Sequence, residues 1–202
     1  GERSSVKSKH FAFSEPQVRQ AMALLADRKG MQDFIYGRTG VATSNFLNNP
    51  GKFRSPNTKF EFNVDKANQI LDAAGWKRGA DGIREKDGKK LKFVYQTSIN
   101  ASRQKEQAIL KQACQKAGID LELKSITASV FFSSDVANPD TYQKFWCDMQ
   151  MYTTTMTQPD PVETIRAPNR KKVATCRIAL TLSLKWLNAS GVSWSATATS
   201  FR

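Results

Sequence analysis

Residues 91–123 read LKFVYQTSIN (91–100), ASRQKEQAILKQACQKAG (101–118) and IDLEL (119–123). The first piece predicts a strand over 91–96 that runs into a polar tip. The second places Ile109, Leu110, Ala113, Cys114 and Ala117 on one face of a helix over 102–117, and Gly118 supplies the backbone freedom that stops it. The third alternates apolar and polar residues as a half-buried strand does. Strand, helix and strand in succession make a β-α-β unit, with two parallel strands and the helix packed across them. The fold class is therefore α/β. In open α/β sheets, ligands meet the loops at the C-terminal ends of the strands. That rule makes Gln96, Thr97, Ser98 and Asn100 candidate binding residues.

Upstream, Ser14-Glu15-Pro16-Gln17 has the form of a capping box with Pro in the first turn, and Val18, Ala21, Met22 and Leu25 follow at helical spacing. This predicts a helix over 15–26, interrupted by Asp27-Arg28-Lys29-Gly30, and a second short helix through Met31, Phe34 and Ile35 that stops at Gly37. Residues 38–62 read as loop. Asn63 caps a further helix whose apolar face is Val64, Ala67, Ile70, Leu71 and Ala74; Gly75 ends it and Trp76 covers the end of the core. Asp87-Gly88 accepts the positive φ of a tight turn and predicts a hairpin between 83–85 and 91–96. Downstream come a short helix over 127–134, a turn at Asn138-Pro139-Asp140 and a strand over 145–151. That strand runs into Tyr152, Thr153, Thr154 and Thr155, an aromatic face beside three hydroxyls, which has binding character. Read without a ligand, the same run is a Thr-rich edge strand.

Composition narrows the classes of function. The chain has 202 residues, 31 Lys and Arg against 18 Asp and Glu, and a net charge of +13, which allows a nucleic-acid or anionic-membrane partner. The excess is uneven, because residues 164–202 hold seven basic side chains and no acidic one. In the rest, basic and acidic residues are interleaved, the pattern of solvated helix faces rather than of a phosphate track. The longest near-apolar stretch, 178–187, is half a bilayer span and contains Lys185. Cys114, Cys147 and Cys176 lack C-x-x-C spacing and His10 is the single histidine, so no metal or haem cofactor is expected. Cys114 and Cys147 read either as two small buried hydrophobes or as a disulfide pair. With one histidine, nucleophilic catalysis has no base, and Asp160 with Glu163 reads as a solvated acidic turn, so no enzymatic activity is expected. The stretch 82–90 fails as a phosphate-binding loop, since Lys90 stands where Ser or Thr is needed.

Several signatures, in order, carry a resemblance. They are Phe13-Ser14-Glu15-Pro16-Gln17-Val18-Arg19-Gln20-Ala21-Met22 with Asp27-Arg28, then Asn63-Val64-Asp65-Lys66-Ala67 leading through Ile70-Leu71 to Ala74-Gly75-Trp76. Asp87-Gly88-Lys89, Lys116-Ala117-Gly118-Ile119-Asp120-Leu121-Glu122-Leu123, and Asp148 through Tyr152 to Pro159-Asp160-Pro161 follow. Together they resemble the C-terminal lobe of the solute-binding proteins of bacterial ABC importers, extracellular solute-binding protein family 5, which includes peptide-, nickel- and opine-binding types. The resemblance implies a fragment of a type II periplasmic-binding-protein-like lobe, a β-α-β core with flanking helices. It implies a monomeric periplasmic receptor that closes like a hinge on a small-molecule solute and delivers it to an ABC permease and its ATPase, with no covalent chemistry and no nucleic acid.

The ligand-binding residues are then expected to be Gln96, Thr97, Ser98, Asn100, Tyr152, Thr153, Thr154 and Thr155, acting through hydrogen bonds and aromatic stacking. Peptide-binding members of the family anchor the ligand ammonium with an Asp at the place of Thr155, and dipeptide-binding members pair the ligand carboxylate with an Arg at the place of Thr97. Neither charge is present here, which favours a neutral, hydroxyl-rich or differently charged solute over a peptide. A fragment of one lobe is expected to bind solute weakly or not at all, because closure needs contacts from both lobes. The family pattern is expected over 1–163, and 164–202 to be a non-family tail, either a shifted reading frame or an unrelated segment, that packs poorly and exposes Trp186, Leu187 and Trp194. The reading from a different class is a small basic nucleic-acid-binding protein, for which a steep salt dependence of DNA affinity is required.

Overall fold

A computed structural model of the chain describes residues 10–45, 54–135, 137–155, 181–188 and 191–201. In order these form α1 (Pro16–Leu24), α2 (Arg28–Met31), a π-helical turn (Gln32–Tyr36), a 3₁₀ turn (Gly37–Thr39), β1 (Gly40–Thr43), α3 (Val64–Ala73), β2 (Lys77–Arg78), β3 (Arg84–Lys86) and β4 (Lys89–Lys90). They continue as β5 (Lys92–Ser98), α4 (Ala101–Lys116), β6 (Asp120–Ile126), α5 (Ala128–Phe131), β7 (Met149–Thr155), β8 (Thr181–Asn188) and β9 (Gly191–Phe201).

The β-α-β unit is present as read. β5 and β6 pair in parallel from Lys92 opposite Asp120 to Ser98 opposite Ile126. Asn100 caps α4 by accepting a hydrogen bond from the Arg103 amide at 3.2 Å, and Gly118 closes it at φ +76°. β7 adds to the other side of β5, also in parallel. The full sheet has the order β1-β8-β9-β7-β5-β6, antiparallel from β7 outward through β9, β8 and β1.

One apolar cluster holds the helices to the sheet. Val18, Ala21 and Met22 of α1, Ala67 and Leu71 of α3, and Leu110 and Cys114 of α4 meet Phe93, Tyr95, Met149 and Met151. Each fully buried large side chain contributes about 1.5–3 kcal/mol. Asn63 caps α3 by accepting from the Lys66 amide at 2.9 Å, and Trp76 lies 2% exposed just beyond its end, as its sequence position predicts.

Four local expectations are corrected. The capping box at Ser14 does not form: Glu15 occupies the cap position without a capping hydrogen bond, and its carboxylate instead accepts from Trp76 Nε1 at 3.2 Å and Lys86 Nζ at 3.1 Å. Asp27 does not merely interrupt a helix; it caps α2, accepting from the Gly30 amide at 2.8 Å. Asp87-Gly88 does make a turn with positive φ at both residues, but its arms are β3 and β4. Residues 92–98 leave that ribbon for the large sheet, where they have two parallel neighbours and a buried face. Finally, β1 lies inside a stretch read as loop, because four residues of Gly-Val-Ala-Thr carry too little pattern to register.

His10 is held by three hydrogen bonds. His10 Nδ1 accepts hydrogen bonds from the amides of Ala12 and Phe13 at 3.1 and 3.0 Å, which leaves the proton on Nε2 for Asp148 Oδ1 at 3.0 Å. Cys114 and Cys147 are both buried and are not bonded to each other, which corrects the disulfide alternative, and burial pushes the Cys114 thiol well above its usual range. The tail set apart by its charge contributes the hairpin β8–β9, which pairs with β7 and β1. The exposure expected of Trp186, Leu187 and Trp194, like residues 156–180, lies outside what the structure describes.

Candidate functional site

The C-terminal ends of β5 and β7 are neighbours, with Gln96 opposite Gln150 and Thr97 opposite Met151. Side chains alternate along each strand, so Gln96 and Ser98 share a face with Gln150 and Tyr152, and Thr97 shares the other with Met151 and Thr153. The two tips therefore adjoin, but their polar residues do not form one wall. β5 also runs on through Ser98 rather than ending at Gln96. As a result Gln96, Thr97 and Ser98 are 1%, 0% and 0% exposed.

Burial obliges these groups to find partners inside the protein. Gln96 Nε2 donates to the Asp140 carbonyl at 3.2 Å and its Oε1 accepts from Gln150 Nε2 at 3.1 Å. Thr97 Oγ1 donates to the Met151 carbonyl at 2.8 Å. Ser98 Oγ accepts from Arg103 Nη2 at 2.8 Å. The expectation that these three side chains line a pocket is corrected: their hydrogen bonds join β5 to β7 and α4. Asn100 is exposed, with its side-chain oxygen committed to the helix cap. Thr153 Oγ1 accepts from Arg103 Nη1 at 3.2 Å. Thr154 and Thr155 are placed through backbone pairing with Ala196 and Ser195.

Tyr152 differs from the others. It is half-buried, and its ring stands 5.5 Å from that of Tyr142 and 6.4 Å from that of Phe131. Phe132, 46% exposed, lies 5.8 Å from Tyr142. These rings form an aromatic surface beside the strand ends, with Lys124 and Asp140 paired at 2.6 Å nearby in the same 128–152 region and β6. Such a surface stacks planar or apolar groups, and the Tyr142 hydroxyl accepts from Gln143 Nε2 at 3.3 Å.

Behind the tips, Arg103 joins Ser98 of β5 and Thr153 of β7 to the first turn of α4. One turn on, Glu106 is 2% exposed and accepts from the Tyr36 hydroxyl at 2.8 Å. Burial raises its pKa to about 7, against the lowering effects of the Tyr36 hydrogen bond and of Arg103. Neither Arg103 nor Glu106 is legible as a site residue from the sequence, since both look like ordinary charges in a polar helix. The available signal was weak: they are three apart, starting three after the cap. Tyr142 and Phe132 carry no spacing signal, because they reach Tyr152 from a loop and from the end of a four-residue helix.

No group of three or more His, Cys, Asp or Glu that could hold a metal occurs among the described residues, and no described helix is long and apolar enough to cross a membrane. The fold is an α/β sheet whose parallel strands β5, β6 and β7 present their C-terminal ends beside an aromatic surface, the arrangement of a binding module.

Comparison with known proteins assigns the family. Residues 4–172 match the model of the bacterial extracellular solute-binding proteins, family 5, middle region, and the chain belongs to that family, one of binding proteins rather than enzymes. It is 31% identical over 124 residues to the oligopeptide-binding protein AppA of Bacillus subtilis (strain 168), an overlap covering 58% of this chain and 23% of AppA. It is 35% identical over 101 residues to the oligopeptide-binding protein OppA of Lactococcus lactis subsp. lactis (strain IL1403), covering 47% and 16%. The structure of AppA from Bacillus subtilis in complex with a nonapeptide superposes with a TM-score of 0.52 over 59% of this chain and 25% of that one. An oligopeptide-binding protein from Thermus thermophilus, complexed with a pentapeptide, shares the fold at a TM-score of 0.58 and 22% identity, over 67% of this chain and 23% of that one. The chain thus spans about a quarter or less of the length of these relatives.

Proposed function

We propose that this chain is part of the C-terminal lobe of an extracytoplasmic receptor that captures a small solute and hands it to an ABC permease and ATPase. Family membership supports the class. The observation that carries the site is the half-buried Tyr152 at the end of a parallel strand, within an aromatic surface shared with Tyr142 and Phe132. The lobe supplies one wall; closure against a second lobe supplies the other, so affinity resides in the pair. We assign solute contact to Tyr152 and Asn100 and a supporting role to Gln96, Thr97, Ser98 and Thr153, whose hydrogen bonds hold the strand ends in place. Thr154 and Thr155 remain proposed contacts beyond Tyr152. The solute is neutral, hydroxyl-rich or differently charged rather than a peptide, since Thr97 and Thr155 stand where the resemblance expects charges. The receptor is a periplasmic monomer.

We further propose that the part of 164–202 beyond the family match, 173–202, differs in origin from the residues before it. The absence of any acidic residue from 164–202 supports this. Translation of the gene in its other two frames tests it: a receptor-like continuation in one of them is expected, and none in either removes the shifted-frame account. Calorimetry on the longer receptor that contains this chain, with peptides, sugars and opines, tests the function. Saturable binding of a sugar, an opine or another non-peptide solute is expected; tight peptide binding contradicts the assignment of solute class, and no saturable binding contradicts the receptor reading.

A further inference from the structure

A groove between α1 and α3 is remote in sequence from the strand ends: none of its lining residues belongs to β5, β6 or β7. Ala23 and Leu24 of α1 and Ile70 of α3 give it an apolar floor, and Arg28, Ser44, Lys59, Phe60 and Lys66 surround a volume of about 770 Å³, within the range of small-molecule sites.

Its polar groups have one prevailing sign. Arg28 is 3% exposed, and its guanidinium donates to the Ala23 and Ala26 carbonyls at 3.3 and 3.5 Å while standing 5.6 Å from the centroid of the Phe60 ring. Burial lowers its pKa to about 10, as expected of a cation taken out of water. Ser44 Oγ is buried and has no hydrogen-bond partner among the described residues, so a donor inside the groove is left for an acceptor that the described residues do not provide. Lys59 adds a second cation. The lining acid, Glu61, is committed to Lys66 Nζ at 2.7 Å and Asn63 Nδ2 at 2.9 Å.

We propose that this groove binds an amphiphilic organic monocarboxylate, its carboxylate between the Arg28 guanidinium and the Ser44 hydroxyl and its apolar body along Leu24, Ile70 and Phe60. A guanidinium and a hydroxyl match the acceptor geometry of a carboxylate. A buried dianion needs more counter-charge than Arg28 and Lys59 supply, and a cationic amphiphile meets repulsion. The site stands apart from the solute-binding reading and does not depend on it.

The test is a titration of the ¹⁵N-labelled 202-residue chain with decanoate, decanol and decylammonium, each below its micellar concentration. Decanoate is expected to give saturable amide shifts at Ser44, Leu24 and Ile70. Decanol, which keeps the chain and loses the charge, is expected to bind roughly tenfold to a hundredfold more weakly, the range for a hydrogen bond to a charged group, and decylammonium not to shift these amides. Ser44→Ala and Lys59→Glu, neither of which opens the core, are each expected to weaken decanoate several-fold with an unchanged circular dichroism spectrum. Equal affinity for decanol and decanoate, shifts confined to other regions, no shifts at all, or unchanged decanoate affinity in both variants overturns the proposal.

Discussion

His10 Nε2 donates to Asp148 Oδ1 at 3.0 Å across 138 positions of sequence, and the other carboxylate oxygen of Asp148 accepts from the Val94 amide at 2.7 Å. Asp148 thereby ties the N-terminal segment, the start of β7 and the middle of β5 together. His10 adds stacking against Phe11 and Phe13 at 4.8 and 4.6 Å between ring centroids.

Asp148→Ala removes both acceptors and leaves the Val94 amide without one, at a cost of about 1–3 kcal/mol. Asp148→Asn keeps one acceptor and is expected to cost less. Urea unfolding of the two variants checks the order; equal stability of Asp148→Ala and the parent contradicts it.

Arg84 is 1% exposed, donating through Nε to the Ala117 carbonyl at 2.8 Å and through Nη2 to Asn68 Oδ1 at 2.8 Å, with Nη1 serving the Trp76 carbonyl and Asp72. The two ends of the Arg84–Asp72 ion pair are unequal, since Asp72 is 63% exposed. Arg84→Met strands several acceptors, each at about 1–3 kcal/mol where it is buried, and is expected to cost at least about 3 kcal/mol in all. Asp72→Ala is expected to cost within about 1 kcal/mol, because solvent screens the exposed carboxylate. Thermal unfolding separates the two; similar losses contradict the assignment of the cost to buried carbonyls.

Gly118 adopts φ +76°, and a Cβ there meets Arg84 Cγ at 2.9 Å and the Gly82 carbonyl oxygen at 3.0 Å. Gly118→Ala therefore carries both the left-handed backbone penalty, about 1 kcal/mol or more, and a displacement of Arg84. A destabilisation clearly larger than that of the exposed Gly88→Ala is expected in the same unfolding assay, since Gly88 has a similar φ of +71° and nothing lies within 4 Å of a Cβ there.

Glu106 has a pKa raised from 4.5 to about 7 in the folded state. Between those values the folded chain holds a proton that the unfolded chain has released, so this group's contribution to stability falls as pH rises from 4.5 to about 7 and is level above that. Glu106→Gln keeps an acceptor for the Tyr36 hydroxyl and removes the titration. The variant is expected to gain stability relative to the parent on going from about pH 5 to about pH 8, on the order of 3 kcal/mol. A difference between the two proteins that does not vary with pH contradicts the buried-carboxylate account.

The elements legible in the sequence were those whose own residues carry both period and punctuation. α3 has its cap at Asn63 and its stop at Gly75; β5, α4 and β6 have alternation, a helical face and Gly118. What stayed hidden depended on partners distant in sequence. Glu15 exchanges a cap for Trp76 and Lys86, a choice that its local sequence cannot register. The burial of Gln96, Thr97 and Ser98 follows from β7 and Arg103 flanking β5, and a polar strand end looks the same whether it faces solvent or a neighbouring strand. Tyr152 stood out for its ring, while Tyr142 and Phe132 join it only because the 132–148 segment folds back over that face.

Tyr152 is the proposed solute contact. Calorimetric comparison of the solute affinity of the longer receptor with that of its Tyr152→Ala variant tests this most directly. Loss of a stacked aromatic contact predicts affinity lower by about tenfold, from roughly 1–1.5 kcal/mol of stacking and buried area, with folding unchanged. An affinity indistinguishable from the parent contradicts it.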